Sequence, residues 1–361
     1  MEKMCFFMNV DLAWIKQRPH FMAECISKYY HTVVFYPFFF NRSILTKERE
    51  EYSFKAKKIF RVPNVVKSVF IHEIIDEVVA FFIKIYLTIY KPDILFFTDP
   101  KQVKYIPNNY SGEIVYDCMD DLVALAKHCK EKKRVFNNEL LMIKKANLIL
   151  VSSNELINVI NDRYGGDIAE RIRLCRNAYN GNVKEIVEDK HNRNGKFRIC
   201  YFGTISSWFD IELIDKSLKK DETIEYWIAG PITEGVNLPN NERVKYFGVL
   251  SHSKIDEFVK NCDCFIMPFL VNDIIKAVDP VKLYEYINFH KNVLSVFYEE
   301  IERFEPFVYF YNDFDEYINL LNEIKKDKKL KYTEKDRVEF LNDNTWENRV
   351  EYIVGLLKDE Q

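Results

Sequence analysis

The sequence predicts an α/β protein built from two tandem Rossmann-like domains with a cleft between them, and three observations carry that expectation. The chain has 361 residues, more than one hydrophobic core usually serves. Short apolar runs alternate with helical patterns through both halves, the rhythm of doubly wound parallel sheets. A charged, polar stretch over residues 180–196, ending in Asn194-Gly195, separates the two series. The expected division is a first domain over 1–182, a second over 196–340, and a closing helix within 341–361 that crosses back to the first.

Taken in order, the first half reads as strands at 4–9, 32–36, 94–98, 114–116, 148–151 and 173–175, with helices at 19–29, 65–90, 135–146 and 154–163. The helix at 65–90 is the greasiest stretch. Lys67, His72, Glu73, Asp76, Glu77 and Lys84 interrupt it, so it does not meet the roughly 20 apolar residues a membrane span needs. It reads as an amphipathic helix with a wide apolar face, turned to the core or to a membrane surface. The second half reads as strands at 198–202, 224–229, 244–247, 264–268, 293–296 and near 307–311, with helices at 211–219, 254–261, 280–289 and 314–325. The lysine-rich run 325–335 reads as a solvated helix end and loop. Asp327 and Glu334 break it, and only Tyr332 is there to stack, so a nucleic-acid surface is not expected. Residues 345–357 form one more amphipathic helix.

Composition narrows the function classes. At 48% hydrophobic and 30% charged the chain is globular. Its net charge of −3 hides an asymmetry: residues 1–185 hold 28 Lys and Arg against 22 Asp and Glu, the remainder 24 against 33. A basic first half suits an anionic partner, a phospholipid surface or a lipid-phosphate acceptor, and drift between domains explains it equally well. Only 10 glycines are present, so a phosphate site is expected to use helix ends in place of a Gly-rich loop. The eight cysteines include no CxxC pair, and Cys262-Asp-Cys264 is too tight for zinc. Reduced thiols in a cytoplasmic protein are the expectation, with the inner face of the membrane as a peripheral location; no metal and no cofactor are called for.

Four segments have residues that could carry chemistry. In Asp279-Pro280-Val281-Lys282-Leu283-Tyr284-Glu285-Tyr286, Asp279 is a good N-cap and Pro280 suits the first helical position. Free amides at Val281 and Lys282 suit a pyrophosphate, the Lys282 ammonium adds charge, and Glu285 on the same face can accept from two ribose hydroxyls. The same spacing also fits an ordinary capped helix with a surface Lys–Glu pair. Gly203-Thr204-Ile205-Ser206 is a strand-to-helix turn where backbone can approach a ligand and Thr204 or Ser206 can donate to phosphate. Arg18, before Pro19, would sit at a helix start as a phosphate clamp or be a plain surface arginine. In Asp117-Cys118-Met119-Asp120-Asp121 the crowded carboxylates repel one another, which raises pKa as a base or hydroxyl-orienting group requires; Asp120 or Asp121 is also the natural cap of the next helix.

Together these segments resemble the glycosyltransferases of the two-Rossmann (GT-B) architecture, in particular the family 4-like enzymes of capsule, O-antigen and teichuronic acid assembly. The matching pieces are QRPHF at 17–21, VYDCMDD at 115–121, LVSSNEL at 150–156, RNAYN at 176–180, CYFGTISSWFD at 200–210, VKYFGVLSHSKIDEFVKNCDCFIMPF at 244–269 and DPVKLYEY at 279–286. The resemblance implies a nucleotide-sugar donor, more readily a uridine one, bound by the second domain, and a bacterial glycan or lipid-linked acceptor. Gly203 and Thr204, together with Val281, Lys282 and Leu283, match pyrophosphate-binding positions. Phe247 and Val249 match the segment against the base, and Glu285 the glutamate that holds the ribose. The family's first glutamate is replaced by Ala277, where Asp279 or Asp273 would stand in. Asp120 matches the acceptor-facing loop. Catalysis would then fall to Asp120, Arg18 and Lys282: transfer with retention, the leaving diphosphate stabilised by Lys282 and Arg18, or inversion if Asp120 is a true base. Enzymes of this architecture generally need no metal. Two other classes fit less well: a nucleotide-sugar 2-epimerase, for which His20 is the sole histidine in a candidate loop, and a non-catalytic two-lobed binding protein of periplasmic type, against which the cysteines and the lack of an export signal argue.

Overall fold

The computed structural model describes residues 1–14, 16–38, 52–62, 69–179, 181–184, 195–327 and 329–359. Most of the stretch at 180–196 and the start of the helix at 65–90 lie outside them. The chain divides into two compact units, Met1–Asn180 with Trp346–Gln361, and Gly181–Thr345.

The first unit runs β1 (Lys3–Phe7), α1 (Arg18–Ile26), β2 (His31–Phe38), β3 (Lys55–Phe60), α2 (Val69–Tyr90), β4 (Ile94–Phe97), β5 (Glu113–Cys118), α3 (Leu122–Leu125), α4 (Cys129–Lys145), β6 (Leu148–Val151), α5 (Asn154–Tyr164) and β7 (Ile172–Leu174). Its seven strands form one sheet in the order β3-β2-β1-β4-β5-β6-β7, and every neighbouring pair is parallel. Strands β1, β4 and β6 are buried along nearly their whole length, as continuous apolar runs covered on both faces should be. The many phenylalanines are spent here. In register, Phe7 faces Phe35 on one neighbour and Phe97 on the other, and the rings stack at 4.7 and 4.9 Å.

Strand β3, KAKKIF, was not expected from the sequence. It is an edge strand that buries only Ile59 and turns lysines outward, so it has no apolar run to read.

The second unit runs β8 (Phe197–Phe202), α6 (Ile211–Lys220), β9 (Ile224–Ala229), β10 (Val244–Tyr246), α7 (His252–Lys260), β11 (Cys264–Met267), α8 (Asp273–Lys276), α9 (Val281–Asn288), β12 (Asn292–Val296), β13 (Tyr309–Tyr311), α10 (Phe314–Lys326) and α11 (Glu334–Asp343). Its sheet has the order β10-β9-β8-β11-β12-β13, again parallel. Helix starts follow local chemistry: the side chains of Asp210, Asp313 and Thr333 accept from Leu213, Glu316 and Asp336 amides at 2.9, 2.9 and 3.2 Å. The Thr333 cap opens α11 inside the end of the lysine-rich run that reads as loop.

The last helix, α12 (Trp346–Asp359), belongs to the first unit. Trp346 is fully buried and stacks on Phe21 at 5.7 Å, and Val350, Ile353 and Leu357 join the core that holds Met22 and Ile26. Lys28–Glu347 at 3.1 Å and Tyr29–Glu351 at 3.2 Å fix its outer face.

Candidate functional site

In both sheets the strand order reverses beside the first strand of the unit, between β1 and β4 and between β8 and β11. Ligands of open α/β sheets bind outside the carboxyl ends of the strands at such a reversal.

In the second unit that edge is made of backbone. Strands β8, β9 and β10 each run into a glycine or end one residue short of it: Gly203, Gly230 and Gly248. Gly203 N–H donates to the Ala229 carbonyl at 2.9 Å, and Gly230 N–H to the Gly248 carbonyl at 2.8 Å. A Cβ on Gly230, whose φ is +130°, would stand 1.9 Å from the Gly203 carbonyl oxygen; one on Gly203 would meet the Tyr201 hydroxyl at 2.8 Å. The turns therefore pack main chain on main chain. The Tyr246 hydroxyl donates to the Gly230 carbonyl at 2.7 Å, and the Tyr201 hydroxyl to the Thr204 carbonyl at 2.8 Å, which holds the turns in place. Gly230 was missed by sequence reasoning because glycine was weighed by its total. The signal was positional, a glycine after each of three successive strands.

Helix α9 begins beside these turns. The Tyr286 hydroxyl donates to the Phe202 carbonyl at 3.2 Å and tethers the helix to the end of β8. A Cβ on Gly203 would come within 3.5 Å of Lys282 Cε. The amides of Val281 and Lys282 fall in the first turn, where helix geometry leaves N–H groups without an intrahelical acceptor. Lys282 Nζ lies 2.6 Å from Glu285 Oε2, both side chains about a third exposed, and 4.9 Å from the Phe202 ring centroid.

Three expected roles need correction. Pro280, not Asp279, is the N-cap residue of α9. Asp279 is buried and ion-paired with Arg303, which also donates to the Tyr284 hydroxyl at 3.2 Å, so its carboxylate anchors the turn from inside and is not presented to a sugar. Leu283 is fully buried and its N–H donates to the Pro280 carbonyl at 3.3 Å, which makes it core. Of the two hydroxyls, Thr204 is exposed, whereas Ser206 is buried and accepts from Thr233 at 2.9 Å. Ala277 is buried, and Asp273 stands in solvent 3.5 Å from Lys276. Phe247 and Val249 flank Gly248 and are exposed by 39% and 54%; the Phe247 ring is backed by Trp227 at 4.8 Å and Phe258 at 5.3 Å. That is an apolar surface on which a flat base can lie.

The first unit's edge is made of side chains bound to one another. Arg18 forks onto Asp117, Nε to Oδ2 at 2.9 Å and Nη2 to Oδ1 at 2.7 Å, and Nη1 donates to Asn177 at 3.2 Å. The pair is 4% and 0% exposed. Arg18 is thus an internal tie from the start of α1 to the end of β5, not the surface phosphate clamp expected from sequence. A sequence cannot show that a partner 99 residues away claims its guanidinium.

Asp121 caps α3, accepting from the amides of Val123 and Ala124 at 3.1 and 3.0 Å, and Arg163 forks onto it at 2.8 and 2.6 Å. Burial alone would push the Asp121 carboxyl up; the bonds from Arg163, Ala124 and Val123 outweigh it and hold the carboxyl low. Behind it the buried Glu139 accepts from the hydroxyls of Tyr116 at 2.8 Å and Tyr164 at 2.6 Å. Burial pushes Glu139 up against the pull of those hydroxyls and of Arg163. Neither Glu139 nor Arg163 stood out in the sequence, since each lies mid-helix without a motif.

Asp120 is left at the surface of this framework. Its carboxyl is pushed up to about 6, first by the crowding of protein around it, then by the charges of Asp117 and Asp121, against the pull of Arg18. Its side chain keeps solvent contact, which limits how far crowding alone can move it; the direction is upward. His20 is buried, its Nδ1 accepting from Gln17 N–H at 3.1 Å and its Nε2 3.1 Å from the Asp11 carbonyl, and burial lowers its pKa.

No protein-family model and no curated protein matches the sequence. Solved structures do. Anabaena HepE, determined in complex with UDP and glucose, is 13% identical with a TM-score of 0.73, over 99% of this chain and 100% of that one. Sucrose-phosphate synthase from Thermosynechococcus elongatus is 11% identical with a TM-score of 0.71, over 99% of each chain. The lipopolysaccharide outer core galactosyltransferase WaaB is 14% identical with a TM-score of 0.64, over 99% and 100%. At these identities the likeness is one of fold, and the fold is that of the GT-B glycosyltransferase structures.

Proposed function

We propose that this chain is a glycosyltransferase that moves a hexosyl unit from a nucleotide-diphosphate sugar, a UDP-sugar by preference, to a bacterial surface glycan or a lipid-linked acceptor of the O-antigen or capsule kind. One observation carries the reading: the main-chain turns at Gly203, Gly230 and Gly248 bond and pack on one another, and the first of them, at the strand-order reversal, meets the start of α9 with its Lys282–Glu285 pair. The solved structures of HepE with UDP and glucose, and of an E. coli protein bound with UDP-2-fluoro glucose at a TM-score of 0.67, support a uridine donor on this fold.

In this reading Lys282 and Glu285 are a pair held in readiness. A diphosphate arriving at the Val281 and Lys282 amides takes the ammonium from Glu285, and the released carboxylate accepts the two ribose hydroxyls. The base lies on Phe247 and Val249. As the glycosidic bond breaks, negative charge grows on the diphosphate, so the helix end and Lys282 bind the transition state more tightly than the donor. Transfer proceeds with retention, and the departing phosphate oxygen helps take the acceptor proton. Asp120 orients the acceptor hydroxyl and needs its charge to do so. Arg18 acts only by holding Asp117 and the turn that carries Asp120. The epimerase alternative loses its one candidate histidine, because both ring nitrogens of His20 are engaged below the surface.

The reading is tested by incubating the protein with a panel of UDP-hexoses and detergent-solubilised lipid-phosphate glycans. Acceptor-dependent release of UDP with gain of one hexose on the glycan is expected. Release of free 2-epimerised sugar would replace the transferase reading by the epimerase one.

A further inference from the structure

The outward face of α2 has no counterpart elsewhere among the described helices. Ile71, Ile74, Val78, Phe81, Ile85 and Ile89 recur at steps of three and four, with Phe82 next to Phe81, and all seven are exposed, Phe81 by 61%, Phe82 by 63% and Ile89 by 77%. At 100° per residue they form one stripe about 100° wide. The opposite face is already used: Ala80, Ile83 and Leu87 are buried, and Tyr86 meets Phe35 at 5.5 Å. The stripe is not the outside of a helix waiting for its own core. It extends over roughly 27 Å of helix at 1.5 Å per residue, a contiguous apolar surface of the kind that marks an interaction site.

The charges beside it decide the occupant. On the Tyr86 side, Lys57 Nζ lies 4.1 Å over the Tyr86 ring and Lys3 Nζ lies 5.2 Å over the Tyr90 ring. Lys55, exposed, shares the face of β3 with Lys57, two residues away on the pleat. On the other side stand Glu73, Glu77 and Lys84, while Asp76 is neutralised by Arg61 at 3.1 Å and Lys104 at 2.9 Å. Asp93 accepts from Lys3 N–H at 2.8 Å; with it counted, Lys3, Lys55, Lys57 and Lys84 still outnumber Glu73, Glu77 and Asp93, within a half of the chain that is itself basic. A seam for a second helix would be a narrower stripe with paired charges along both edges. No described helix is long and apolar enough to cross a membrane, so α2 would lie along one.

We propose that this face docks on the anionic leaflet of a bilayer, α2 lying flat with its apolar stripe among the acyl chains and Lys3, Lys55 and Lys57 against the headgroup phosphates. Lysine stems can run over apolar surface while their ammonium groups stay at the phosphates, and Tyr86 and Tyr90 sit at the depth aromatic side chains prefer. Each lysine near an anionic leaflet contributes about a five-fold gain in partitioning. The inference stands on the surface of the first unit alone and holds whether or not the transferase reading does.

The test is flotation of the full chain with vesicles of phosphatidylethanolamine and phosphatidylglycerol, and with vesicles of phosphatidylcholine alone. The wild type should float with the anionic vesicles and bind the neutral ones at least about ten-fold more weakly, by the lysine contribution above. The double variant Phe81→Glu, Phe82→Glu should lose at least about ten-fold of the anionic binding while its melting temperature stays unchanged, because both rings already face solvent. The double variant Lys55→Glu, Lys57→Glu should lose a comparable factor that about 0.5 M salt also removes. Wild type and the Phe81/Phe82 variant floating alike, or neither floating, would overturn the proposal. So would a wild-type dimer in sedimentation velocity, dispersed by the Phe81/Phe82 substitutions, in a protein that ignores vesicles.

Discussion

The two units share a topology and finish the same edge in opposite ways. In the first, the carboxyl edge is closed by charges bound to each other: Arg18 to Asp117 and Asn177, and Arg163 to Asp121 and Glu139. In the second the surface of the edge is main chain, three glycine turns and a helix start with one Lys–Glu pair beside it, and the charge pair Asp279–Arg303 lies beneath, behind the turn. Buried ion pairs fix a turn and add little net stability. Bare amides cost nothing to rearrange when an anion arrives. The first edge holds its carboxylates by bound partners, with Asp120 left at the surface; the second presents main-chain groups, which is what the proposed nucleotide seat requires.

The largest effect should come from breaking the locked edge. Arg18→Met leaves Asp117 charged and buried without its fork, which costs about 3–5 kcal/mol. Chemical denaturation should show the loss in the first unit, while UDP still shifts the melting of the second. A loss of UDP binding with full stability would return Arg18 to the role of phosphate clamp.

Gly230→Ala is the matching change on the open edge. Its Cβ would stand 1.9 Å from a backbone oxygen at a φ of +130°. Strain at positive φ and overpacking together predict a loss of about 2–4 kcal/mol. Nucleotide affinity, followed by calorimetry, should fall with it, because the Gly203 turn must move. Unchanged affinity would mean that these turns only pack.

Next comes Asp120→Asn, with the acceptor present. Removing an orienting carboxylate should lower kcat about 10²-fold without changing stability. Because crowding by the protein and the charges of Asp117 and Asp121 raise the Asp120 carboxyl above the ordinary carboxylate range, wild-type activity should fall on acidification as the charge is lost, at a higher pH than for a free carboxylate. The Asn variant should show no such fall. A pH profile common to both would place the titrating group elsewhere.

The fold was legible to the extent that burial writes itself in apolar runs. Strands β6 and β9 fall where the runs do, because both are covered on two faces. Strand β3 hid behind its lysines, and α11 behind a lysine run whose capping signal, Thr333 with Asp336, went unweighed. Local geometry was legible at the start of α9, where the spacing of Lys282 and Glu285 places them on one face and the two are paired at 2.6 Å. It failed where a distant partner decides a side chain's direction: Asp117 for Arg18, Arg303 for Asp279. Sequence spacing shows which residues share a helix face, and such long-range pairs share none.

The contrast between the edges is tested most directly by UDP on the wild type and on Glu285→Ala, without metal, followed by thermal shift. A ligand that binds only the folded state adds about 2.7 kcal/mol at 100 times its Kd, a readily visible rise. That rise is expected for the wild type, with a concentration dependence displaced about ten-fold or more in the variant, since a charged hydrogen-bond acceptor is worth about 1.5–3 kcal/mol. Equal shifts in both would take the ribose away from Glu285. No shift in either at millimolar UDP would contradict the claim that the second unit's edge is a nucleotide seat.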